Sequence, residues 1–85
     1  MKTKQEFITD LQQVVAPYAD EGVDVEQITE ATNFTEDLGV DSASLVDIVL
    51  DVEEKYQIEI DNESMERMFT VGAAIEIIEE KLAAT

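Results

Sequence analysis

The chain contains no cysteine and no histidine. Without cysteine there can be no disulfide framework and no thiolate metal site. A serine hydroxyl also lacks the neighbouring base it would need to attack a carbonyl, since an aspartate at its ordinary pKa is a weak one. Bases are scarce as well: 5 lysines and arginines stand against 21 acids, for a net charge of -16. Such a surface repels phosphate backbones and anionic lipids, which argues against nucleic-acid and membrane-surface roles. It attracts basic protein surfaces with a salt-sensitive encounter, although acidity can also serve solubility alone. No apolar run reaches the roughly 18 residues of a membrane span. Met1-Lys2-Thr3-Lys4-Gln5-Glu6 lacks the apolar centre of a signal peptide, so the expected location is cytoplasmic. At 85 residues, 45% of them hydrophobic, residues 1–85 are read as one domain, a monomer with a small core and modest stability.

Periodicity predicts an all-α fold. Thr3-Lys4-Gln5-Glu6 is a capping box opening a first helix. Phe7, Ile8, Leu11, Val14, Val15 and Tyr18 follow at helical spacing, and Pro17 ends the helix near Ala16. Ala19 to Val40 is a long connection, pinned by Val23, Val25 and Ile28, with Phe34 and Leu38 as further anchors on a short turn of helix. A second helix is expected from Ser42 to Tyr56, with Leu45, Ile48, Val49, Val52 and Tyr56 on its core face. Gln57-Ile58-Glu59-Ile60 is an extended connector with both isoleucines turned inward. Asp61-Asn62 caps a short helix from Glu63 to about Met68, and Thr70 caps the last one, whose face is Val71, Ala74, Ile75, Ile78 and Leu82. Glu76, Glu79 and Glu80 face solvent there, and Lys81 suits the C-terminal dipole. The architecture is a small bundle of three main helices and one short one, with a long loop after helix one.

The chain is organised around Gly39-Val40-Asp41-Ser42 and the helix that follows. Asp41 suits the N-cap, which places Ser42 at the first helical position with its hydroxyl near solvent. A phosphate attached there would meet free N–H groups and the positive end of the helix dipole. Ala43, Val46 and Leu50 form a second stripe, interrupted and flanked by Asp47, Asp51 and Glu54. Asp37, Asp41, Asp47, Asp51, Glu53 and Glu54 read either as a solvated face or as the edge of a docking surface. The apolar stripe between them favours docking, through Asp41, Val46, Asp47, Leu50, Asp51, Glu54 and Met65. No Asp-x-Asp-x-Asp-Gly loop is present, which excludes an EF-hand; no metal site is expected beyond loose divalent binding to the acids.

Gly-x-Asp-Ser followed by an apolar helix ending in Glu53-Glu54-Lys55-Tyr56 resembles the acyl carrier protein family. Asn33-Phe34-Thr35-Glu36-Asp37-Leu38-Gly39 resembles the family's approach to its modified serine. Ile58-Glu59-Ile60-Asp61 and Thr70-Val71 with Ala73-Ala74-Ile75 resemble later segments, so the match runs from about Asn33 to Ile78. The resemblance implies a free-standing carrier rather than an enzyme. A 4′-phosphopantetheine arm on Ser42, delivered from coenzyme A by a phosphopantetheinyl transferase, would carry acyl groups as thioesters in fatty-acid or polyketide-type biosynthesis. Asp41 would support the cofactor site. Ketosynthase, acyltransferase, ketoreductase or dehydratase-type partners would dock through basic surfaces. Leu45, Ile48, Val49, Met65 and Met68 would line the acyl pocket, where methionine adapts its shape readily. The sequence departs from the family at Ala43, where leucine is usual, and a second serine, Ser44, follows. Ser44 reads as a polar first-turn residue bonded to Asp41, with attachment there as the lesser alternative. The rival functions are an acidic adaptor without a prosthetic group, binding a basic partner through the second helix, and a divalent-ion buffer.

Overall fold

The computed structural model describes residues 3–20 and 22–84. Its elements are α1 (Lys4–Val15), a single 3₁₀ turn (Val25–Gln27), α2 (Ser42–Tyr56), α3 (Asn62–Glu66) and α4 (Val71–Ala84). Among the described residues there is no β-strand, only one isolated antiparallel bridge between Asn33 and Thr70. The three long helices, the short one and the long first connection stand as the sequence predicts.

α1 begins with the expected capping box. The Thr3 hydroxyl accepts from the Glu6 amide, and the Glu6 carboxylate accepts from the Thr3 amide, both at 3.2 Å. Phe7, Ile8, Leu11 and Val15 are buried, facing α2 and α4. A hydrogen bond and a ring contact join α1 to α2. The Tyr56 hydroxyl donates to Asp10 at 2.7 Å, and its ring tilts against Phe7 with centroids 5.8 Å apart. Burial, helped by the Asp10 carboxylate, pushes the Tyr56 phenol well above its usual range, so the hydroxyl stays a donor.

The loop after α1 is ordered by what it does for α4. An α-helix opens with four unpartnered N–H groups. Here the Val71 amide donates to the Thr32 carbonyl and Gly72 to the Glu30 carbonyl, both at 2.9 Å. The Ala73 amide takes the Thr70 hydroxyl and the Ala74 amide the Thr70 carbonyl. Ile28, Phe34 and Leu38 are buried from the loop side, as expected. The loop's one helical turn, however, lies at Val25–Gln27, where the Asp24 carboxylate caps it. It does not lie at Phe34–Leu38, which forms hydrogen-bonded turns instead.

α2 ends on Gln57 in the left-handed region, φ 57°. That turn sends Ile58 into the core and leaves Ile60 half-buried, while the Glu53 carboxylate accepts the Ile60 amide at 2.7 Å. Two expectations are corrected, one of a boundary and one of burial. The short helix stops at Glu66 rather than Met68, because Arg67 tightens the turn by donating its amide to the Ser64 and Met65 carbonyls. In α4, Ile77 is buried, whereas Leu82 in the last turn is exposed.

Candidate functional site

The approach to α2 is fixed before the helix begins. The Asn33 side-chain oxygen accepts from the Thr35 amide, the Thr35 hydroxyl and the Glu36 amide, all within 3.0 Å. Asp37 accepts the Asn33 amide at 2.7 Å, so this exposed acid also closes the turn. Leu38 and Val40 are buried, and the Val40 amide donates to the Phe34 carbonyl at 2.9 Å. Gly39 sits between them with φ 69°, and a Cβ there would run into the Asp20 carboxylate. Only glycine fits both the dihedral and the space.

Asp41 then caps α2, its carboxylate accepting the Ser44 amide at 2.8 Å. The Ser44 amide, then its hydroxyl, hold the Asp41 carboxyl below the usual carboxylate range. Because Asp41 does the capping, the Ser42 hydroxyl is not spent on it. Ser42 is the first residue of a 15-residue helix and is exposed. A phosphate-linked group fits this position: the hydroxyl is open for attachment, and an anion there lies in the field of the helix N-terminus. Ser44 is half-buried, with its amide committed to Asp41.

α2 separates its faces as expected. Ile48, Val49 and Val52 are buried; Val46 and Leu50 are 43% and 55% exposed; Asp47, Asp51 and Glu54 are exposed beside them. Asp51 also accepts the Tyr18 hydroxyl at 3.1 Å. Glu53 is half-buried and bonded to the connector, which takes it out of the exposed acidic edge. Of the residues expected to form an acyl pocket, Leu45, Met65 and Met68 line an open groove between α2 and α3 that also includes Ser42 and Val46. Met68 is almost wholly buried and forms the floor. Ile48 and Val49 lie in the core and do not line this groove.

Three residues of this region escaped the sequence reading. Phe69, 68% exposed, lines the groove. Arg67, the chain's one arginine, lines it as well. Ser64 is buried, its amide held at 2.8 Å by the α3 cap Asp61. Its position three residues after an aspartate, like that of Ser44 after Asp41, was the available signal. Among the described residues no group of three or more acids could hold a metal ion, and no helix is long and apolar enough to cross a membrane.

Comparison with known proteins adds to this geometry. The family model described as the phosphopantetheine attachment site matches residues 10–78. An acyl carrier protein of an Exiguobacterium species is 40% identical over 80 residues, covering 94% of this chain and 99% of the relative. The crystal structure of an acyl carrier protein from Thermotoga maritima superposes with a TM-score of 0.81 at 26% identity, covering 95% of this chain and 92% of that one. The solution structure of a hexanoyl acyl carrier protein from the actinorhodin polyketide synthase of Streptomyces coelicolor gives 0.78 at 26% identity, covering 91% of each chain.

Proposed function

The chain belongs to the acyl carrier protein family and is a carrier with a phosphopantetheine attachment domain rather than an enzyme; from that premise we propose that Ser42 bears the arm and that the loaded protein presents acyl intermediates of fatty-acid or polyketide-type assembly to its partner enzymes. The observation that carries the assignment is the exposed hydroxyl of Ser42 at the first turn of α2, with the capping role taken by Asp41. When bound, the arm supplies a thiol on which acyl groups are held as thioesters, which suits a chain without cysteine.

What this chain's residues contribute is placement. Leu38 and Val40 anchor the approach, Gly39 makes the turn, and Asp41 fixes the helix start, so Ser42 is offered at one defined point. The base needed to activate its hydroxyl must come from the transferase, since nothing resembling a triad surrounds it. Tethering a substrate to a docked carrier raises its concentration at the partner's active site. Docking would use Val46 and Leu50 as the apolar contact and Asp41, Asp47, Asp51 and Glu54 as the acidic rim, with Met65 at the edge. Charge complementarity would speed encounter with a basic surface. Leu45, Met65 and Met68 would receive the acyl chain along the groove.

The test is intact mass after incubation with coenzyme A and a broad-specificity phosphopantetheinyl transferase, followed by site mapping. The expected outcome is one arm per chain on Ser42. Modification at Ser44, or none at all, would refute the assignment.

A further inference from the structure

The groove that Ser42 shares with α3 is lined by two glutamates, Glu63 and Glu66, and by one cation, Arg67. Loading Ser42 as proposed above adds a phosphodiester anion to this groove, on a chain that already carries -16. Arg67 is the one basic group among the residues that line it.

Its present partners hold it weakly. The guanidinium lies 3.5 Å from the Ser64 hydroxyl and 3.8 Å from the Glu80 carboxylate. The first is at the limit of a hydrogen bond. The second joins side chains 59% and 62% exposed, an arrangement that contributes little. The backbone beneath is firm by contrast. The Arg67 amide donates to the Ser64 and Met65 carbonyls, and its own carbonyl accepts the Phe69 amide at 3.0 Å. Phe69 is pinned in turn, its carbonyl accepting the Phe34 amide at 3.0 Å, yet its ring stands in water beside the groove. A planar guanidinium suits phosphate oxygens better than an ammonium does, because it presents paired donors in a fixed fork.

We propose that Arg67 is a positioning residue for the arm: when Ser42 is loaded, the guanidinium exchanges Glu80 for the phosphodiester and lays the arm along the α2–α3 groove, against Met65 and the ring of Phe69. The inference rests on Ser42 being the attachment site.

Phosphorus and arginine NMR on the intact chain test this. Wild type, Arg67→Lys, Arg67→Gln and Glu80→Gln are loaded with coenzyme A and a broad-specificity transferase, and loading is verified by intact mass. The Arg67 Nε–Hε signal is expected to move between apo and loaded wild type, and to move likewise in Glu80→Gln. The phosphodiester resonance is expected to shift in Arg67→Gln and by less in Arg67→Lys, with the differences shrinking as salt is raised. A loaded wild type whose Arg67 signal stays where it was in the apo chain overturns the inference, as does a phosphorus resonance common to wild type and Arg67→Gln. The first of these needs no variant, so it holds even if a substituted chain folds poorly. A chain that gains no arm on Ser42 overturns this inference and the attachment site together, whereas an unmoved Arg67 on a chain loaded at Ser42 overturns only the role of Arg67.

Discussion

α2 and α4 meet the same requirement at their first turns in opposite ways. Both must partner N–H groups that an α-helix leaves over. α2 does so with its own Asp41, and the turn it caps stays exposed, with Ser42 at its first position. α4 borrows the Glu30 and Thr32 carbonyls from a distant segment and adds Thr70, and Val71 at its start is wholly buried. A start capped by its own side chain can accept a new group, while a start capped by another segment becomes an anchor. The two are linked. Phe34 donates to the Phe69 carbonyl and accepts from Val40, so the sealed start of α4 holds the approach to the open start of α2.

The largest expected effect separates the open start from everything else. Ser42→Ala should abolish loading by the transferase, read as an absent mass increment, while the circular dichroism spectrum and melting temperature stay close to wild type. Ser44→Ala should load normally. Next in size is the turn before Asp41. Gly39→Ala puts a Cβ in the left-handed region and against Asp20, which should cost about 1–3 kcal/mol in urea unfolding. On the sealed side, Thr70→Val removes the hydroxyl that accepts the Ala73 amide at 3.1 Å and should cost about 1 kcal/mol. If Thr70→Val also lowers the rate of loading at full folding, the linkage through Phe34 and Phe69 transmits position and not only stability.

Much of this contrast was legible in the residues. Thr3 with Glu6, Asp41 before Ser42, and Thr70 before Val71 are caps whose chemistry is local, and α2 has the predicted bounds of Ser42 and Tyr56. The partners that seal α4 were not legible, because a backbone carbonyl at Glu30 or Thr32 leaves no mark on residue type. The same holds for the end of α3, decided by the backbone of Arg67, and for the loop's single helical turn, which Asp24 draws to Val25–Gln27. Leu82 continues the apolar spacing of Val71, Ala74, Ile75 and Ile78, but spacing says nothing about how far neighbouring elements extend along a helix. Phe69 left no signal either, since it lies between α3 and α4, outside any helical spacing.

Acid should distinguish the two kinds of start. Asp41 and Asp61 are both held below their ordinary value of 3.8, chiefly by bonds from Ser44 and Ser64. A depressed carboxylate contributes stability that is present above its unfolded value and lost as pH falls through the folded one. The window therefore lies below pH 3.8. The Ser44 and Ser64 amide proton shifts should titrate there, while the Ala73 amide, bonded to a hydroxyl, should not. A titrating Ala73 signal would show that the α4 start is not sealed independently of charge.

The smallest effect concerns salt and sharpens the same division. Among the described residues the ion pairs are Lys4 with Glu30, Arg67 with Glu80 and Lys81 with Asp61, and none lies on α2. The exposed acids Asp47, Asp51 and Glu54 thus concentrate repulsion along the helix that carries Ser42. Screening weakens repulsion between exposed charges over about 10 Å at 0.1 M salt. Raising sodium chloride from low ionic strength should lift the melting temperature by roughly 2–4 °C, the shift expected for about half a kcal/mol in a domain of this size, and magnesium should act at lower concentration. Asp47→Asn should raise the low-salt melting temperature and flatten its salt dependence, whereas Glu80→Gln, which removes an α4 acid already paired with Arg67, should leave the slope nearly as it is. Equal slopes for the two variants would mean that the repulsion is spread over the whole chain, and that α2 is open without being the seat of the charge.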